Sequence, residues 1–159
     1  MQLDNSQLAT LKAAILSETN AAFVTLRNSG ATGAMADWYN VASNTDAWRS
    51  NVPAIESDDA PDYSTFDALA AGKRDSWTLF LGFSRDFTRN KVRKWVTDVW
   101  GPAIASSNAE NILKAGVEKA RRGEVVFGGN VTSTGTVSAT NRTLVGTISN
   151  ENVVSALSA

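Results

Sequence analysis

The 159-residue chain contains no cysteine and no histidine. Without cysteine there is no disulfide, no thiolate nucleophile and no cysteine-ligated metal. Without histidine the chain lacks the side chain most used as a general base at neutral pH, which is also the commonest transition-metal ligand. Long apolar runs are missing too, so no segment reads as a membrane-spanning helix. Neither sign of charge dominates. Fifteen Lys and Arg face sixteen Asp and Glu, for a net charge of −1, so nothing in the total draws the chain to nucleic acid or to a membrane. The opening Met1-Gln2-Leu3-Asp4 has no basic stretch leading into an apolar one, so no secretory signal is expected and synthesis in the cytoplasm is. These absences predict a protein that is not an enzyme and carries no cofactor or metal.

What the chain does have is tryptophan, five of them, in a sequence that is 43% apolar. Each indole buries a large area and seeks a partner for its N–H. Apolar spacing predicts helices over 5–18 (Leu8, Leu11, Ile15, capped by Asn5 or Ser6), over the twenties (Phe23, Val24, Leu26, capped by Thr19 or Asn20) and around 33–41 (Met35, Trp38, Tyr39). Gly30 suits a left-handed stop. Residues 42–61 read as an irregular connection anchored by Trp48, Val52 and Ile55 and interrupted by Pro53 and Pro61. Helices follow over 64–83 (Ser64 cap; Phe66, Leu69, Trp77, Phe80, Leu81, Phe83), 87–100 (Val92, Trp95, Val96, Val99, Trp100) and 108–122 (Ile112, Leu113, Val117, Ala120).

From Gly123 the composition turns to Gly, Thr, Val and Ser. Val125-Val126-Phe127 and Thr143–Ile148 read as short strands, with turns at 128–130 and 139–141, and Ser149 caps a last helix. The expected fold class is therefore mainly α: a small bundle of about five to seven helices with a C-terminal β-rich extended arm or hairpin. The expected division is a helical core over 1–122 and a β-rich arm with a short terminal helix over 123–159. Such an arm must satisfy its backbone groups, either on a neighbouring subunit or by folding back on its own helices.

Charge is segregated. Residues 37–67 hold seven acids and one base, whereas 73–94 hold Lys73, Arg74, Arg85, Arg89, Lys91, Arg93 and Lys94 against Asp75 and Asp86. The basic residues Arg85, Arg89, Lys91, Arg93 and Lys94, interleaved with aromatics, are candidates for a DNA-facing or inter-subunit surface. Equally, they read as the solvated face opposite a buried tryptophan stripe. Asp58, Asp59 and Asp62 are the matching candidates for an acidic inter-subunit surface. They lack the loop spacing and glycine of a calcium site. Asp75, Asp86, Asp98 and Glu110 include no two that stand out as a glycosidase pair. Gly128-Gly129-Asn130 lacks the lysine and helix of a phosphate loop.

Three stretches carry a resemblance: LATLKAAILSETNAAFVTLRNSGATGAMADWYN near the start, Trp48-Arg49-Ser50-Asn51-Val52-Pro53, and KAGVEKARRGEVVFGG leading to a tail that ends ENVVSAL. Together they resemble the head–tail connector (neck adaptor) proteins of tailed bacteriophages, over most of the chain. The resemblance implies a virion structural protein of the neck, made in the host cytoplasm. Such proteins are helical bundles with an extended arm that assemble as a homo-oligomeric ring, commonly of twelve copies. The ring sits beneath the portal protein, contacts other neck or tail proteins and passes DNA through its lumen. A DNA-binding accessory protein, or another tail-completion or head-decoration protein, fits the same residues as an alternative.

Overall fold

The computed structural model describes residues 2–101, 107–142 and 146–159. Helix α1 (Asn5–Ser17) starts where expected but is capped by Asp4 rather than by Asn5 or Ser6. Asp4 accepts from the Gln7 amide at 2.8 Å and the Gln7 side chain accepts from the Asp4 amide at 3.0 Å. Asn20 caps α2 (Ala21–Asn28), and Gly30, at φ 68°, reverses the chain into α3 (Thr32–Asn40).

The stretch expected to be an irregular connection instead holds strand β1 (Ala42–Trp48) and a one-turn helix, α4 (Ala54–Asp58). The expected 64–83 helix is two pieces. A 3-10 helix over Tyr63–Ala68 is capped by Asp62 rather than Ser64, and α5 (Ala71–Phe80) follows. The break falls at Leu69-Ala70, before Gly72, because Leu69 and Ala70 are both extended (ψ 143° and 145°). Helix α6 (Asn90–Trp100) ends at Gly101, whose φ of 91° few other residues adopt.

Helix α7 (Asn108–Ala115), capped by Ser107, stops well short of residue 122. The chain continues as β2 (Val117–Arg121) and then α8 (Arg122–Val126). Val125 and Val126 are thus helical, not the expected strand. β3 (Val131–Thr134) and β4 (Val137–Thr140) form an antiparallel hairpin turning at Gly135, φ 59°. Ala139 and Thr140 are in the strand rather than a turn. Of the strand expected over 143–148, residues 143–145 lie outside the described residues, and 146–148 are not strand. Helix α9 (Asn150–Ser158), capped by Ser149, closes the chain. The fold is mainly helical, with ten helices among the described residues and one four-stranded mixed sheet in the order β2-β1-β4-β3. Its parallel pair is β1 with β4, Ala47 opposite Thr140.

The described residues form two compact units. One comprises the chain up to Thr45 with Lys119–Gly129 and Arg142–Ala159. The other comprises Asp46–Glu118 and Asn130–Asn141. The boundary expected at 122/123 is therefore not where this structure divides, and 123–159 is shared between the units rather than set apart as an arm. The physical reason is burial. Val137 and Ala139 alternate into one core, and Ile148, Val153 and Ala156 enter the other.

In the first unit, Leu11 and Ile15 of α1, Phe23 of α2, and Met35, Ala36 and Tyr39 of α3 pack with Ile148 and with Val153 and Ala156 of α9. The side-chain amide of Asn40 binds both backbone groups of Ile148, donating to its carbonyl at 2.8 Å and accepting from its amide at 2.9 Å. A strand neighbour would supply the same pair of bonds, so Asn40 holds residue 148 in place without a sheet. Glu124 of α8 is also buried here. It accepts from the Arg121 amide at 2.7 Å and from the Arg121 guanidinium at 2.8 Å, with Arg142 3.6 Å away. Burial pushes its carboxyl pKa up, but the two Arg121 bonds and the Arg142 charge outweigh this and leave it below the usual value.

The second unit is built on aromatics. Trp48, Val52, Trp77, Phe80, Phe87, Val96, Val99, Ile112 and Leu113 form its buried centre. Trp77 stacks on Phe80 at 4.8 Å, and the ring of Phe80 meets Trp95 and Phe87 edge-on. Each indole nitrogen of Trp48, Trp77 and Trp95 donates to a hydroxyl, those of Thr132, Tyr63 and Ser76 respectively.

Candidate functional site

The basic segment lies wholly in the aromatic unit, and its five candidate cations meet different fates. Arg93 is not on the surface. It is 2% exposed on α6, between the apolar stripe and the hairpin. Its guanidinium lies 4.6 Å over the Trp48 ring. It donates to the carbonyls of Phe87 (2.5 Å) and Thr88 (2.9 Å) and to the hydroxyls of Thr134 (3.0 Å) and Thr132 (3.4 Å). Burial lowers its pKa, as expected for a cation removed from water. Arg93 therefore joins the hairpin to the turn before α6 and is turned away from any external partner.

Arg85 is half-buried. Its Nε donates to the carbonyl of Phe80 at 2.6 Å and its Nη2 to that of Leu79 at 2.5 Å. These carbonyls lie in the last turn of α5, where a cation is favoured. The same guanidinium sits 4.9 Å from the rings of Phe80 and Trp95 and 5.7 Å from that of Phe83. The backbone of Arg85 is paired as well, in a two-bond bridge to Val52.

The remaining three cations are exposed. Arg89 pairs with Asp86 at 3.0 Å and Lys94 with Asp98 at 2.6 Å, both at solvent-exposed helix spacing and individually worth little. Lys91 is exposed on the first turn of α6. An ion pair from Arg74 to Asp67, 3.7 Å long and open to solvent, joins the basic stretch to the acidic one.

The acidic candidates also have local roles. Asp58 accepts from the Tyr63 hydroxyl. That hydroxyl accepts in turn from the Trp77 indole at 2.9 Å. Burial, then the Asp58 bond, pushes the phenol up to about 12, so it stays protonated and cannot act as a base near neutrality. Asp62 caps the 3-10 helix, which lowers its pKa, and its backbone is clamped by the Asn108 side chain. Asp59 is exposed. Among the described residues no group of three or more acids is placed to hold a metal, and no helix is long and apolar enough to cross a membrane.

The residues that stand out are apolar. Phe83 is 73% exposed and Leu79 68%, and the Arg85 guanidinium binds the Leu79 backbone carbonyl and lies 5.7 Å from the Phe83 ring. Ile55 on α4 is 61% exposed. Periodicity assigns Phe83 to the core and passes over Leu79, and Ile55 reads as a core anchor of an irregular connection. For Phe83 the reason is that α5 stops at Phe80, so the helical spacing that would turn it inward no longer applies. Ile55 points outward from a helix only five residues long, too short to show a period.

No protein-family model, no curated protein and no solved structure matches this chain.

Proposed function

We propose that this protein is a structural component of a tailed-phage virion, a head–tail connector that acts by assembly and not by catalysis. In this reading copies form a ring beneath the portal protein and link it to neck or tail proteins around the DNA channel. In this reading the helices would play the part of that family's bundle, and the 131–140 hairpin that of its β-rich segment. The observation that carries the reading is the exposed Leu79–Phe83 surface with Arg85 fixed beside it. Large apolar groups left together in water mark a surface for a protein partner. The extended sequence resemblance supplies the class of partner.

The test is to tag the chain in its phage and examine purified particles by quantitative mass spectrometry and electron cryomicroscopy. The expected result is many copies per particle, located at the neck. A chain absent from particles, or present in one copy, overturns the proposal. A second reading, non-specific DNA contact through Arg89, Lys91 and Lys94, rests on these three being the exposed members of the basic set. It requires a salt-dependent affinity for duplex DNA in the isolated protein.

A further inference from the structure

We infer that one copy of this chain docks head-to-tail on the next, with the Leu79–Phe83 knob of one seated on the acidic face around Ile55 of its neighbour. The inference rests on the assembly reading above and names the contact that would build the ring.

The arginine of the knob is ordered before it meets a partner. Arg85 is tied by its Nε and Nη2 to the carbonyls of Phe80 and Leu79, and its guanidinium lies beside the Phe83 ring. A side chain already held in this way loses little conformational freedom on binding. The surrounding charge is positive: with Arg93 buried, Arg85, Arg89, Lys91 and Lys94 stand against Asp86 and Asp98.

The counterface holds an ordered side chain too. Ile55 projects from α4, and Tyr63, 40% exposed, is locked by its bonds to Asp58 and Trp77. Residues 54–67 contain five acids and no base. Arg49 pairs with Glu56 and Arg74 with Asp67, so Asp58, Asp59 and Asp62 carry the remaining negative charge. One chain thus carries an apolar knob in a basic surround and an apolar platform in an acidic surround. Opposite potentials of this kind favour contact between unlike patches and disfavour contact between like ones. A contact between two different patches of the same protein is heterologous, and it closes into a ring when the rotation allows. Nucleic acid is a poorer occupant for the knob, because the Arg85 donors nearest to it already bind carbonyls.

The experiment uses the full chain and two surface variants, Leu79→Ser/Phe83→Ser and Ile55→Lys. All altered side chains are more than half exposed, and circular dichroism checks that both variants fold. Mass in solution is read by sedimentation and light scattering over a concentration series. The unaltered chain is expected to self-associate. Each variant alone is expected to lose that association by more than tenfold. An equimolar mixture of the two retains one intact knob and one intact platform, so it is expected to form heterodimers and nothing larger. An unaltered chain that is monomeric at every concentration overturns the inference, as do variants that assemble normally or a mixture that stays monomeric. The failures are separable: if the Leu79→Ser/Phe83→Ser chain still enters particles at normal copy number, the connector reading stands and this contact does not.

Discussion

Gly116 and Phe87 are in such close approach that no other residue fits at position 116. A Cβ built on Gly116 would lie 2.1 Å from Cδ1 and 2.5 Å from Cγ of the Phe87 ring. The glycine has an ordinary φ of −77°, so space and not backbone conformation is what it provides. The ring cannot step aside. It is fully buried, packed edge-on against Phe80, and its own amide is tied to the Arg49 carbonyl at 2.9 Å. The Gly116 carbonyl in turn accepts from the Arg49 amide at 2.9 Å.

Gly116→Ala should therefore destabilise the protein by on the order of 2–3 kcal/mol, the range for forcing extra volume into a packed core. Thermal unfolding should show a fall of roughly 5–10 °C in Tm. Gly72→Ala is the control, because a Cβ there meets nothing within 4 Å. It should be neutral or slightly stabilising. Equal effects of the two substitutions would contradict the packing seen here.

The same glycine explains where sequence reading stopped. Ile112, Leu113, Val117 and Ala120 keep helical spacing across Gly116, so the apolar pattern hides the stop that this glycine provides. The glycine also brings a position without a side chain against a ring 29 positions earlier, a contact that periodicity cannot report. Capping signals were legible in part. Asn20 and Ser149 act on amides two or three residues away, as their side chains predict, whereas Asp4 and Asp62 cap where Asn5 or Ser6 and Ser64 were expected. β1 was not legible. Its sequence ASNTDAW has little strand propensity, and it becomes a strand by pairing with β2 and β4, both far along the chain. At the candidate surface the reading chose the charged residues and overlooked the apolar ones. A signal for Arg93 was present, since it lies three residues before Val96 and seven before Trp100, on the flank of the apolar stripe and not opposite it.

Arg93 offers a sharp test of that distinction. A cation on a solvated helix face changes stability by about 0.5 kcal/mol or less when replaced. A buried guanidinium that satisfies two carbonyls and two hydroxyls is different, because hydrogen bonds to charged groups contribute about 1.5–3 kcal/mol each when lost. Lysine cannot reproduce the planar fork, so Arg93→Lys should cost roughly 2 kcal/mol and Arg93→Met more. Chemical unfolding followed by tryptophan fluorescence measures this directly. A shift in native-state emission should accompany it, because the guanidinium covers the Trp48 ring. Stability unchanged within about 0.5 kcal/mol would return Arg93 to the surface.

The first unit makes its prediction through pH. The folded-state pKa of Glu124 lies below its usual 4.5, because the Arg121 bonds and the Arg142 charge together outweigh burial. The native state therefore binds this proton less readily than the unfolded chain does. The resulting stabilisation is fully present above pH about 4.5 and is lost as pH falls through the lowered folded value. Glu124→Gln has the same shape without the charge. It should be less stable than the unaltered chain at neutral pH, with the gap closing progressively below pH 4.5. Hydrogen exchange at the Arg121 amide, which donates to Glu124 Oε2 at 2.7 Å, reads the bond itself. Its protection should fall in acid in the unaltered chain and be low and flat with pH in Glu124→Gln, once intrinsic exchange is divided out. A gap that widens in acid would mean that burial dominates and that Glu124 is neutral in the folded protein.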